Sequence, residues 1–133
     1  MKLLLDTHML IWAATNDPKL SYEAALLIEN PVNEVFFSAA SIWEMTIKAD
    51  KLPIDPGIFR TSLLRNGYKE LSVSSEHALG VRLLPDIHKD PFDRIMIAQA
   101  NVEGITFLTQ DGNALKYPGV RSAKEITNFK IVK

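Results

Sequence analysis

Cysteine is absent from the 133 residues, which excludes a disulfide scaffold, a thiolate metal site and a cysteine nucleophile. Charge of neither sign dominates. At a formal net charge of −1, the chain is not one that coats nucleic acid by bulk positive charge. No apolar run is long enough to span a bilayer, and the stretch before Asp6 is too short for a signal-peptide core. Histidine is scarce: His8, His77 and His88 lack the spacing of a helical zinc pair and read as structural or surface residues. Ser38 and Ser41 have no base partner nearby in sequence, which argues against a serine hydrolase. Repeats, low-complexity segments and composition shifts are missing too. These absences leave one soluble domain over 1–133, expected in a reducing cytoplasm.

What the chain does have is alternation. An apolar strand at 2–5 is followed by a helix to about residue 14, broken at Asn16-Asp17-Pro18. Ser21 is the expected N-cap of a second helix, with Ala24, Ala25, Leu27 and Ile28 as its apolar stripe. Strand 34–38 leads into a helix over 40–51, then a short helix over 58–65, a strand over 68–73 and a helix from Ser75 that stops before Pro85. Asp90-Pro91-Phe92-Asp93 opens the strongest helix, in which Phe92, Ile95, Met96, Gln99 and Val102 recur at near-helical spacing and Gly104 ends the run. Strands at 105–109 and 119–121 complete the pattern. Strands alternating with helices imply an α/β fold with a mostly parallel central sheet of four or five strands. Residues 122–133 form a weakly patterned tail. Beyond Asp111 the chain carries Lys116, Arg121, Lys124, Lys130 and Lys133 against the single acid Glu125.

Four acids stand beside strand exits or helix starts: Asp6, Glu44, Asp93 and Asp111. Each has a local explanation. Asp6 suits a helix N-cap, and Ser41-Ile42-Trp43-Glu44 fits a capping box. Asp90 suits an N-cap with Pro91 first in the helix and Asp93 complementing its dipole, while Asp111-Gly112 is ordinary turn chemistry. A parallel sheet, however, brings its carboxyl ends to one edge, where ligands bind. Carboxylates gathered there without matched cations are best kept ionised by a divalent metal, which points to a Mg²⁺- or Mn²⁺-dependent phosphodiesterase site. Capping does not require the acids to converge. A metal site does.

The segments Leu4-Leu5-Asp6-Thr7-His8, Ser41-Ile42-Trp43-Glu44-Met45 and Leu108-Thr109-Gln110-Asp111 resemble those of PIN-domain ribonucleases, as does 90–100, the most specific of them. Within that family the likeness is greatest to VapC-type toxins of type II toxin–antitoxin pairs, and it runs from Met1 to about Arg121. The resemblance implies a three-layer PIN-like fold and places metal-binding, catalytic acids at Asp6, Glu44, Asp93 and Asp111. Thr109 would orient the site by hydrogen bonding, and Asp90 would support Asp93 as an N-cap, with a water-mediated metal role as the lesser alternative. Where many relatives have a further acid, Asn113 stands here, which implies weaker binding of a second metal.

The implied reaction is in-line hydrolysis of an RNA phosphodiester, leaving a 5′-phosphate and a 3′-hydroxyl, with tRNA or rRNA loops as the target class and translation as what is inhibited. Lys48, Lys51 and Arg94 are the candidate RNA contacts; a solvated surface charge is the competing reading for each. The implied partners are a VapB-type antitoxin that blocks the acidic pocket and a second copy of the chain. Apolar residues around Ile11-Trp12 and Leu26-Leu27-Ile28 are available for such contacts, while Trp12 and Trp43 read as core or interface. A response-regulator-like phosphoryl-accepting domain is an alternative, but Asp6 is followed by Thr7 and His8 rather than by a second acid. A catalytically dead PIN-like module and a free-standing PIN ribonuclease without an antitoxin are the others.

Overall fold

The structure is a computed structural model that describes residues 1–51 and 53–132, the side chains of 128–132 excepted. Five parallel strands form one sheet: β1 (Lys2–Leu5), β2 (Glu34–Ser38), β3 (Lys69–Leu71), β4 (Thr106–Leu108) and β5 (Val120–Arg121). Their order is β3-β2-β1-β4-β5, so β1 is central. The register pairs Leu4 with Phe36 on one side and with Phe107 on the other. The chain runs outward from β1 through β2 and β3, then crosses back to place β4 on the opposite side of β1. Between β1 and β4 the crossovers diverge, which leaves a crevice at the carboxyl ends of those two strands.

Seven helices cover the sheet: α1 (Thr7–Thr15), α2 (Tyr22–Glu29), α3 (Ala39–Ile47), α4 (Pro56–Arg65), α5 (Ser75–Gly80), α6 (Pro91–Glu103) and α7 (Ala123–Val132). The alternation of side chains along β1 divides the core in two. Leu3 and Leu5 face Met9 and Leu10 of α1, Leu27 of α2 and Phe59 and Leu63 of α4. Leu4 faces Met96, Ile97 and Ala100 of α6, with Phe107 of β4 and Tyr117. No helix among the described residues is long and apolar enough to cross a membrane.

Local chemistry fixes the element ends. Ser21 caps α2 by accepting from Ala24 N, and Asp90 caps α6 by accepting from Phe92 N and Asp93 N. Gly104 ends α6 with φ +69°, a left-handed conformation that costs glycine little. Several expectations are corrected. Helix α3 stops at Ile47 instead of running to residue 51, and a separate 3₁₀ turn holds Ala49–Lys51. The third strand is three residues long, not six. Val102 is exposed, because α6 packs on the sheet through Met96, Ile97 and Ala100. The tail is helical as far as it is described. Residue 133 lies outside the described residues, and so does the side chain of Lys130.

Candidate metal centre

Asp6 leaves β1 and starts α1. One of its oxygens, Oδ1, accepts from Met9 N at 2.8 Å and caps the helix; the other, Oδ2, accepts from the Thr109 hydroxyl at the end of β4. Thr109 Oγ1 in turn accepts from Asp111 N at 3.0 Å. Thr109 is fully buried, so a single hydroxyl ties the exit of β1 to the exit of β4 across the crevice.

Asp111 repeats the division. Oδ1 accepts from Asn113 N at 2.9 Å in a local turn, while Oδ2 lies 3.6 Å from His88 Nε2. The same His88 nitrogen is 2.7 Å from Asp93 Oδ2. Asp90 Oδ1 caps α6. His88, Asp90 and Asp93 together present ligand-type atoms that all lie within 4.8 Å of one another.

Glu44 joins less directly. It is 4% exposed, the sixth residue of α3, and its Oε2 is 2.6 Å from Lys48 Nζ one turn on. The Lys48 ammonium also feels Asp90 and Asp93. The capping box expected at Ser41 and Glu44 does not form. Ser38 is the N-cap, and Ser41 Oγ instead makes a buried 2.8 Å hydrogen bond with Thr7 Oγ1.

Electrostatics record the crowding. Burial lifts the Asp6 carboxyl above the usual carboxylate range, against the lowering hydrogen bonds from Thr109 and Met9, and the Asp111 charge adds to the rise. Burial likewise lifts Asp93, to about 6, opposed by the His88 hydrogen bond and reinforced by the charges of Asp90 and Asp6. Acidic oxygens outnumber donors. Asp90 Oδ2, Asp93 Oδ1 and Glu44 Oε1 accept no hydrogen bond from the described residues. An oxygen-rich group of this kind, short of cations and partly desolvated, suits a hard divalent ion.

Sequence reasoning missed His88. It was read as a structural or surface side chain, yet it stands between Asp93 and Asp111. The only sequence signal is its place two residues before Asp90. Arg94, read as an RNA contact, is committed elsewhere: Nη1 donates to Pro85 O, His88 O and Tyr117 Oη, and Nη2 to Val81 O. Lys51 is exposed on the 3₁₀ turn after α3. Trp43 is not core: it is 62% exposed and meets Phe92 edge-on, with ring centroids 5.1 Å apart. It lines a groove of about 710 Å³ next to Asp90, with Ala40, Val73, Lys89 and Pro91.

Solved structures share this architecture. The chain is similar to VapBC2 from Rickettsia felis, bound in that structure to a fragment of its promoter DNA. The TM-score is 0.68 at 15% identity, over 92% of this chain and 98% of that one. It is similar to a toxin–antitoxin complex from Klebsiella pneumoniae, with TM-score 0.61 and 23% identity over 91% and 97% of the two chains. A third is VapC20 from Mycobacterium tuberculosis, a toxin that cleaves the sarcin–ricin loop, with TM-score 0.63 and 16% identity over 90% and 98%. No curated protein matches by sequence. At these identities the structures establish the fold alone. The family follows from the sequence itself: the PIN domain model matches residues 3–120, from the first strand to the last, so the chain belongs to the PIN domain family.

Proposed function

We propose that this PIN domain is a Mg²⁺- or Mn²⁺-dependent endoribonuclease and the toxin of a type II toxin–antitoxin pair. The observation that carries the reading is the meeting of Asp6, Asp93 and Asp111 at the β1–β4 crevice, linked through Thr109 and His88, with Asp93 raised partly by the charges of Asp90 and Asp6. Asp6 and Asp93 would be the principal metal-holding residues, with Glu44 and Asp111 completing the set. The chemistry such an ion supplies is neutralisation of charge on the scissile phosphate and a more acidic attacking water.

The chain's own residues do the rest. Thr109 holds Asp6 and Asp111 in register, and Asp90 fixes the first turn of α6 so that Asp93 faces the crevice. Lys48 sits among Glu44, Asp90 and Asp93, placed to meet a phosphate oxygen, and Lys51 extends the positive rim. A serine nucleophile is not needed, and the two serines nearest the acids in sequence are engaged: Ser38 bonds Gln99, and Ser41 bonds Thr7.

The substrate is RNA, with a tRNA or rRNA loop as the target class. Cleavage of the sarcin–ricin loop by VapC20 supports that choice, and the toxin–antitoxin structures support a VapB-type antitoxin as partner. The groove beside Trp43 offers an apolar seat for an antitoxin segment next to the acids. Exposed Tyr22 and Leu26 on α2 offer a surface for a homodimer, whereas Leu27 is core. RNA cleavage by the purified chain should vanish in EDTA, return with Mn²⁺ or Mg²⁺, and be lost in Asp6→Asn. Full activity of that variant would overturn the assignment.

A further inference from the structure

The loop ahead of α6 is held far more firmly than a surface connection requires. Tyr117, buried to 2% exposure, points its hydroxyl at this loop, where it accepts from Ile87 N at 3.2 Å and His88 N at 2.7 Å. Arg94 reaches the same place from α6, donating to Pro85 O, His88 O and the Tyr117 hydroxyl at 3.1–3.2 Å. Both the N–H and the C=O of His88 are therefore clamped, by one residue after β4 and one on α6. The clamp grips only the backbone, so the imidazole is free to point inward. It does so with one nitrogen, Nε2, placed 2.7 Å from Asp93 Oδ2 and 3.6 Å from Asp111 Oδ2.

We infer that His88 Nε2 is a nitrogen ligand of the metal centre and makes it selective for manganese-like ions over magnesium. The inference rests on the metal reading of the same acids. Mg²⁺ takes oxygen ligands and holds its waters, whereas imidazole suits first-row transition ions. One imidazole among carboxylates therefore leaves Mg²⁺ affinity nearly unchanged and raises that for Mn²⁺ or Co²⁺. Tyr117 and Arg94 are positioning residues: they touch neither ion nor substrate, and they fix where the ring stands.

The test is electron spin echo spectroscopy of the full chain loaded with Mn²⁺, together with Mn²⁺ and Mg²⁺ binding isotherms. The native chain should show the modulation of a directly bound imidazole nitrogen. His88→Gln should abolish it and weaken Mn²⁺ by about tenfold or more, leaving Mg²⁺ nearly unchanged. His8→Gln, the neighbouring histidine, should leave the nitrogen signal intact. Tyr117→Phe should broaden the signal and weaken Mn²⁺ by a smaller factor, because the loop loses its acceptor. Mn²⁺ bound without nitrogen coupling, or an equal loss of both metals in His88→Gln, would overturn the inference and leave the ribonuclease reading standing. Failure of the native chain to bind Mn²⁺ while it binds Mg²⁺ would likewise overturn only the inference; failure to bind either ion would overturn both.

Discussion

Two buried polar groups sit at the carboxyl end of the same sheet, and they are built on opposite plans. At the end of β2, Ser38 Oγ donates to Gln99 Oε1 at 2.5 Å and accepts from Ala40 N, while Gln99 Nε2 donates to Leu71 O and Ser72 O. Every donor has an acceptor, and no charge is involved. At the ends of β1 and β4, the carboxylate oxygens of Asp6, Asp93 and Asp111 outnumber the donors that reach them, with Asp90 alongside. The first group closes on itself and fastens β2, β3 and α6 together. The second stays open: Asp90 Oδ2 and Asp93 Oδ1 accept no hydrogen bond from the described residues, which leaves room for the proposed cation. Burial alone does not separate a structural polar group from a functional one; the balance of donors and acceptors does.

The largest test of that contrast is catalytic. Asp93→Asn should lower single-turnover RNA cleavage by at least about 10²-fold, the scale of losing one preorganised electrostatic group. Ser38→Ala should leave the rate per folded molecule unchanged. Equal losses in the two variants would erase the distinction. Stability should show the reverse order. Gln99→Met strands the Ser38 hydroxyl and two strand-end carbonyls, at a cost of about 1–3 kcal/mol in urea unfolding.

The open group should also reveal itself through pH. With its carboxyl lifted to about 6 from an ordinary 3.8, Asp93 binds more protons in the native state than in the unfolded one between those values. Stability of the metal-free protein therefore falls as pH rises from about 4 through 6, then levels off. Melting in EDTA at pH 4.5 and 7.5 should show that decline, and Asp93→Asn should reduce it, with the raised Asp6 carboxyl supplying the remainder. In the variant, Tm at pH 7.5 should rise by roughly 4 °C for each kcal/mol of relieved desolvation. Added Mn²⁺ should restore stability to the native chain and do little for the variant. The smallest effect belongs to the rim: Lys51→Ala should reduce the salt slope of RNA binding by about one and hardly touch kcat.

The centre of the sheet was legible because β1, β2 and β4 carry apolar runs, and the helices open on strong caps, whereas β3 and β5 at the edges are short and partly polar. Ser21, Asp90 with Pro91, and Gly104 each mark a boundary by backbone chemistry that tertiary packing does not override. The acids were legible through their places at strand exits, given a parallel sheet. What the sequence hid was partnership across long separations. Nothing near Arg94 indicates that Tyr117, 23 residues away, would share its hydroxyl with that guanidinium and the His88 loop. Charge near a site invites a nucleic-acid reading, yet carbonyl oxygens had already claimed this one. Trp43, read as core or interface, is not core, because helical spacing cannot tell the buried face of α3 from the exposed face on which Trp43 meets the partly buried Phe92.

In the proposed site, Asp6, Asp90 and Asp111 each commit one oxygen to the nearby main chain and keep the second for other partners, which for Asp6 include the Thr109 hydroxyl. Chemistry and folding thus hang from the same carbon atom. A side chain longer by one methylene could not serve both masters, so exchanging Asp6 for glutamate would be no milder than removing it. The alignment of the acids in this proposed site is inherited from the first turns of α1 and α6, and whatever frays those turns should also blur the cut.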